Sequence, residues 1–116
     1  MPLAHAHAAG VSAAEAVDLI RAGALLLDVR EQNEWHAGHA AQAELLPMSR
    51  LAVEAASLPT DRLLVCVCHV GARSAAVSAA LNDAGWTAVN LLGGMQAWAA
   101  AGLSVVTETG QPGRVD

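Results

Sequence analysis

The sequence contains no lysine: all six of its cationic side chains are arginine. A chain without lysine forms no Schiff base, runs no pyridoxal chemistry and has no Walker-type phosphate lysine. Cysteine is scarce too. Its two cysteines, Cys66 and Cys68, are too few for a disulfide framework, and their C-x-C spacing would strain a bridge between them. Hydrophobic residues make up 54% of the chain, yet no apolar run approaches the roughly 18 residues of a membrane span. Residues 1–10 lack the basic start and apolar block of a secretory signal, so the expectation is a soluble cytoplasmic protein. Neither a G-x-S-x-G elbow nor an H-E-x-x-H zinc helix is present. The net charge of −5 argues against binding to nucleic acid or to an anionic membrane surface. The list of nucleophiles is therefore short, and cysteine heads it.

A length of 116 residues is about one domain, enough to build a core without disulfide staples. Residues 1–10 read as a flexible lead-in. His5 and His7 alone make a weak metal site. Ser12 and Glu15 have capping-box spacing, and Ala16, Val17, Leu19 and Ile20 give the helix that follows an apolar face up to about Arg21. Short, continuously apolar runs at 24–28, 63–67 and 89–92, with a weaker one at 44–46, suit strands buried on both faces of a parallel sheet. Helices are expected at 50–57, 74–84 and 95–101. The segment 106–116 reads as a loose tail after a domain at 11–105. Alternating strands and helices predict an α/β domain with a mainly parallel sheet. In such sheets ligands bind beyond the carboxyl ends of the strands.

The segment leaving the 63–67 strand carries the chemistry. It reads Cys68-His69-Val70-Gly71-Ala72-Arg73-Ser74 and opens directly into an alanine-rich helix. Unpaired N–H groups and the positive end of the helix dipole favour an anion at this point. They should depress the Cys68 pKa toward neutrality. Gly71 lets the loop curl so that N–H groups turn inward, and Arg73 adds a permanent positive charge. The competing reading of Cys68 is a small buried hydrophobe, but packing alone needs neither a glycine-containing loop nor a trailing arginine. Cys66, among Leu64, Val65 and Val67, reads as core. Its alternative role is a resolving thiol for Cys68, which would require local movement.

Four segments together carry a family resemblance. The loop Cys68 to Ser74 resembles the C-x4-R-S active-site loop of single-domain rhodaneses. Leu25-Leu-Leu-Asp-Val-Arg-Glu31 resembles their strand-plus-D-V-R-E segment. Glu34-Trp-His-Ala-Gly-His39 resembles their E-[YFW]-x-x-G-H stretch, and Leu92-Gly-Gly-Met-Gln-Ala-Trp98 their L-x-G-G-x-x-A-W stretch. They come in family order across about 11–105. The resemblance implies a three-layer domain with a mainly parallel five-stranded sheet flanked by helices. It also implies a sulfurtransferase, in which a Cys68 persulfide carries sulfane sulfur from thiosulfate or a persulfide donor to a thiol, another small nucleophile or a protein acceptor. Backbone N–H groups of His69, Val70, Gly71, Ala72 and Arg73 would hold the persulfide, and no cofactor or metal is required. By similarity Arg30 either helps to bind an anionic donor or pairs with Asp28 or Glu31. Asp28 ends its strand and reads as an organiser of the neighbouring loops, and Glu34 and His39 read as structural hydrogen-bonders. Trp35, Trp86 and Trp98 read as core or pocket wall, and Gly93 and Gly94 as points of close backbone approach.

The chain also departs from the family pattern. After Gly38-His39 the family commonly reads I-P-G-A, whereas this chain has Ala40-Ala41-Gln42-Ala43. Many thiosulfate-using members place a further cation inside the loop. This chain has His69, Val70 and Ala72, none of them a permanent cation, which points toward a persulfide or protein donor. Two other functions belong to the same fold. Phosphatases and arsenate reductases use a longer C-x5-R loop that suits a tetrahedral oxyanion, whereas four residues separate Cys68 from Arg73. A non-catalytic interaction module would need neither Cys68 nor Arg73. A metal or redox site at Cys66-x-Cys68 lacks further ligands.

Overall fold

The computed structural model describes residues 10–116. All of the expected lead-in except Gly10, with His5 and His7, lies outside them. The first helix, α1 (Ala13–Arg21), is capped as the spacing predicts. The Glu15 N–H donates to Ser12 Oγ at 3.1 Å and the Ser12 N–H to Glu15 Oε1 at 2.9 Å. Such a cap contributes about 1 kcal/mol. Then follow β1 (Leu25–Asp28), α2 (Gln32–Ala37), β2 (His39–Ala40) and β3 (Glu44–Leu45). The helix expected at 50–57 is a composite: a 3-10 turn at Met48–Arg50, α3 (Leu51–Glu54) and a second 3-10 turn at Ala55–Ser57. The chain continues with β4 (Leu64–Val67), α4 (Ala72–Asp83), β5 (Ala88–Asn90), α5 (Gly94–Ala100) and β6 (Val105–Val106).

The main sheet is parallel, in the order β3-β1-β4-β5. A fifth position is held by Val11 alone, through a parallel bridge to Leu91. The Val11 N–H donates to Asn90 O and the Leu92 N–H to Val11 O, both at 2.8 Å. The five-stranded expectation therefore resolves into four laddered strands and a one-residue edge.

Every residue of β1, β4 and β5 is buried, as strands covered on both faces require. Alternate side chains feed two cores. Leu26, Val65, Val67 and Val89 pack with Ala16 of α1 and with Met95 and Trp98 of α5. Leu25, Leu27, Leu64 and Cys66 pack on the other face with Val77 and Leu81 of α4, and Cys68 belongs to this second core. Among the described residues no helix is long and apolar enough to cross a membrane.

Two elements escape patterning by hydrophobicity. Helix α2 buries none of its residues, so it has no apolar period to detect. Strands β2 and β6 pair antiparallel over two residues each. That pairing carries the segment expected to be loose back onto the domain. The Gly113 N–H donates to Val105 O at 2.8 Å and the Arg114 N–H to Ala37 O at 3.0 Å.

Candidate active site

Cys68 follows the last residue of β4, where the sheet ladder ends. The next three residues turn tightly, and Gly71 takes φ +112°, a conformation that side chains on L-residues disfavour. This turn aims the start of α4 back at the cysteine. The Gly71 N–H donates to Cys68 Sγ at 3.1 Å, and the Ser74 hydroxyl lies 3.3 Å from the same sulfur.

Burial pushes the Cys68 thiol up, but hydrogen bonds act the other way. The Ser74 hydroxyl and the backbone N–H groups of Ser74, Gly71 and Arg73 outweigh burial and hold the pKa below the ordinary cysteine value. The donor set runs one residue past Arg73. Ser74 was legible in the sequence as the final letter of C-x4-R-S. The other loop side chains face outward or sideways. Val70 and Ala72 are exposed, and His69 is half-buried with its ring nitrogen 3.1 Å from Gln96 Nε2.

A second helix supports the loop from behind. At the start of α5 the Met95 N–H donates to Cys68 O at 2.7 Å and the Gln96 N–H to His69 O at 3.2 Å. The Cys68 and His69 carbonyls therefore point into α5 while the N–H groups of Gly71, Arg73 and Ser74 point at the sulfur. Gly94 makes this contact possible. It has φ +60°, and a Cβ there would overlap the carbonyl oxygens of both Cys68 and His69. The close approach expected of the Gly93-Gly94 pair is thus assigned to Gly94 on the loop side.

Asn90, at the end of β5, is buried and was not singled out from the sequence. Its Nδ2 donates to Gly71 O at 3.2 Å and its Oδ1 accepts from Ser74 Oγ at 2.5 Å. An asparagine closing an apolar strand is a weak signal on its own.

The arginines are both occupied. Arg73 makes a two-pronged contact with Glu34, Nη1 to Oε1 at 2.7 Å and Nη2 to Oε2 at 2.8 Å. The Arg73 contact chiefly holds the Glu34 carboxyl down at about 2, with a further contribution from the Glu31 N–H. Arg73 is raised in return. Glu34 is thus the acid that ties α2 to the loop, more than a local hydrogen-bonder.

Arg30 takes the ion-pairing alternative. It is fully buried, its Nε and Nη2 embrace the Asp28 carboxylate, and Nη2 also donates to Gly38 O at 2.8 Å. It presents no surface to a dissolved anion in this structure. Its Nη1 is buried without a hydrogen-bond partner among the described residues.

The remaining candidates are structural. His39 Nδ1 sits 2.9 Å from Trp35 O, with the two rings stacked at 3.5 Å. Trp98 is fully buried and donates to Ser104 O, and Trp86 donates to Leu58 O. Cys66, inside β4, is buried, and that burial pushes its thiol up to about 12. Among the described residues no cluster of three metal-ligating side chains occurs.

Fold and site define a class: an α/β domain whose central strand delivers a cysteine sulfur into a nest of hydrogen-bond donors at a helix start. A family model for the rhodanese-like domain matches residues 12–101, and the chain belongs to that family. It is 39% identical to a sulfurtransferase of Allochromatium vinosum over 87 residues, covering 74% of this chain and 81% of that one. It is 44% identical over 77 residues to the probable adenylyltransferase/sulfurtransferase MoeZ of Mycobacterium tuberculosis. That match covers 64% of this chain but only 20% of the relative, so the chain spans about a fifth of that protein's length. Among solved structures, a rhodanese-related protein from Thermoplasma volcanium superposes with a TM-score of 0.81 at 34% identity, covering 86% of this chain and 99% of that one.

Proposed function

We propose that the protein is a sulfurtransferase that carries sulfane sulfur as a persulfide on Cys68. The observation that carries the reading is the Gly71 N–H directed at Cys68 Sγ from 3.1 Å, at the mouth of α4. Such a site favours the thiolate that attacks and then receives the persulfide anion, in the manner of an oxyanion hole. The short loop favours a single sulfur over a tetrahedral oxyanion with three oxygens to satisfy.

In the first half-reaction Cys68 thiolate attacks the outer sulfur of the donor. The donor's S–S electron pair leaves on sulfite, when thiosulfate is used, or on a thiolate, when a persulfide is used. In the second, a thiol or other nucleophile attacks the outer sulfur of the Cys68 persulfide and regenerates the thiolate. Neither step calls for a metal or cofactor. Membership of the rhodanese-like family and the sulfurtransferase names of its relatives support the reading.

Intact-mass measurement after exposure to a sulfur donor tests it. Wild type gains about one sulfur mass, which cyanide or a thiol removes, and Cys68→Ser gains none. Loading of the Cys68→Ser variant, or no loading of wild type by any donor, sinks the proposal.

A further inference from the structure

We propose that Glu34 sets the donor selectivity of the site: by neutralising Arg73 it turns the loop away from dianionic thiosulfate and toward a persulfide carried on a small thiol. The inference rests on the sulfurtransferase reading and deepens it. Two arginines and two acids gather at this end of the sheet. Arg73 spends both terminal nitrogens on Glu34 at 2.7 and 2.8 Å. Arg30 is paired with Asp28 through Nε and Nη2, its Nη1 is buried without a hydrogen-bond partner among the described residues, and the side chain has no solvent-accessible surface. Asp28 pairs in register with Val67, the residue before Cys68. The four charges sum to zero before Cys68 ionises. The rest of the loop shows solvent Val70, 55% exposed, and Ala72, with His69 held against Gln96.

The two donors differ in the charge they bring to this balance. Thiosulfate adds two negative charges to a site that already holds the thiolate. A persulfide adds at most one, as R–S–S⁻, and none in the R–S–SH form that accepts the attack. For R–S–SH, Cys68 Sγ bonds to the outer sulfur with the thiolate's electron pair, and the S–S pair leaves on R–S⁻. The N–H nest accommodates one sulfur anion, and no uncompensated cation among the described loop residues remains for a sulfonate. Glu34 acts through Arg73, so it is a positioning residue. The test therefore needs a readout that a merely structural role would not move.

That readout is kcat/KM for thiosulfate and for the persulfide of 2-mercaptoethanol, made in situ from its disulfide and sulfide. It is measured for wild type, Glu34→Gln and Val70→Arg, each at low and high salt. The amide introduced by Glu34→Gln keeps an oxygen for the Glu31 N–H but leaves the Arg73 charge uncompensated. Wild type is expected to prefer the persulfide by about tenfold or more, and Glu34→Gln to raise kcat/KM for thiosulfate by a similar factor, mainly through KM. That gain should fade in high salt, with the persulfide rate changed less than about threefold.

Val70→Arg, at an exposed position, adds a cation without touching the Glu34 pair and should also favour thiosulfate. It keeps the proposal testable if Glu34→Gln does not fold. Equal wild-type rates for the two donors overturn the selectivity while leaving sulfur transfer intact. So does a Glu34→Gln variant, folded by circular dichroism, that slows both donors alike. Absence of loading by either donor defeats the sulfurtransferase reading itself.

Discussion

Cys66 and Cys68 lie two residues apart and face the same core, yet their surroundings drive their acidities in opposite directions. Cys66 sits within β4, where the main-chain N–H groups are committed to the sheet. Burial pushes it up to about 12, and the Cys68 charge adds to the effect. Cys68 sits one residue past the strand. Burial opposes its ionisation too, but the Ser74 hydroxyl and the N–H groups of Ser74, Gly71 and Arg73, which have no ladder to join, turn on the sulfur and lower its pKa. Burial alone therefore makes neither a reactive nor an inert thiol. The availability of unpaired donors decides.

The most direct way to break this comparison is alkylation. In the native protein at neutral pH iodoacetamide should label Cys68 and leave Cys66 untouched. Cys66 becomes reactive only through unfolding and should be slower by at least about a thousandfold. Peptide mapping by mass spectrometry reads both sites. As pH falls, Cys68 labelling should persist below the ordinary cysteine range and decline only through its own lowered pKa. Comparable labelling of Cys66 would erase the contrast.

The next largest effect is expected from Gly94→Ala. The left-handed backbone at Gly94 costs a side chain about 1–2 kcal/mol, and overlap with the Cys68 and His69 carbonyls adds to it. The melting temperature should fall by at least about 4 °C. Cys68 should also lose its enhanced reactivity as the loop shifts. An unchanged melting temperature would contradict the close approach of α5.

A smaller effect separates the hydroxyl from the backbone donors. Ser74→Ala should move the Cys68 thiolate titration, followed by ultraviolet absorbance of the thiolate, upward without abolishing sulfur loading, because the N–H groups remain. No movement would assign the whole depression to the backbone.

The smallest effect is at acid pH and concerns the Glu34 link to the loop. The Glu34 carboxyl is lowered from 4.5 to about 2. A depressed carboxyl contributes stability that is complete above the unfolded value and lost as pH falls through the folded one. The urea midpoint advantage of wild type over Glu34→Gln should therefore shrink between pH 4.5 and about 2. A constant difference across that window would mean that the pair contributes nothing through ionisation.

Much of this was legible in the sequence because it is written locally. The capping box at Ser12 and Glu15, the buried strands and the loop Cys68 to Ser74 each declare themselves within a few residues. Helix α2 was not legible, because it buries no face and its anchor is Arg73, 39 positions away from Glu34. Asn90 was missed for the same reason, since its partners Gly71 and Ser74 are distant in sequence.

The sequence by itself determined the α/β class, the strand that delivers the cysteine, the glycine that turns the loop and the nucleophile to examine. Those follow from hydrophobic period, backbone freedom and residue chemistry, all local properties. The tertiary structure decided which donors reach the sulfur, that α5 braces the loop through Gly94, and that Arg73 and Arg30 are each paired with an acid. Charge compensation depends on which side chains folding brings within about 3 Å of one another, and no spacing along the chain encodes that distance.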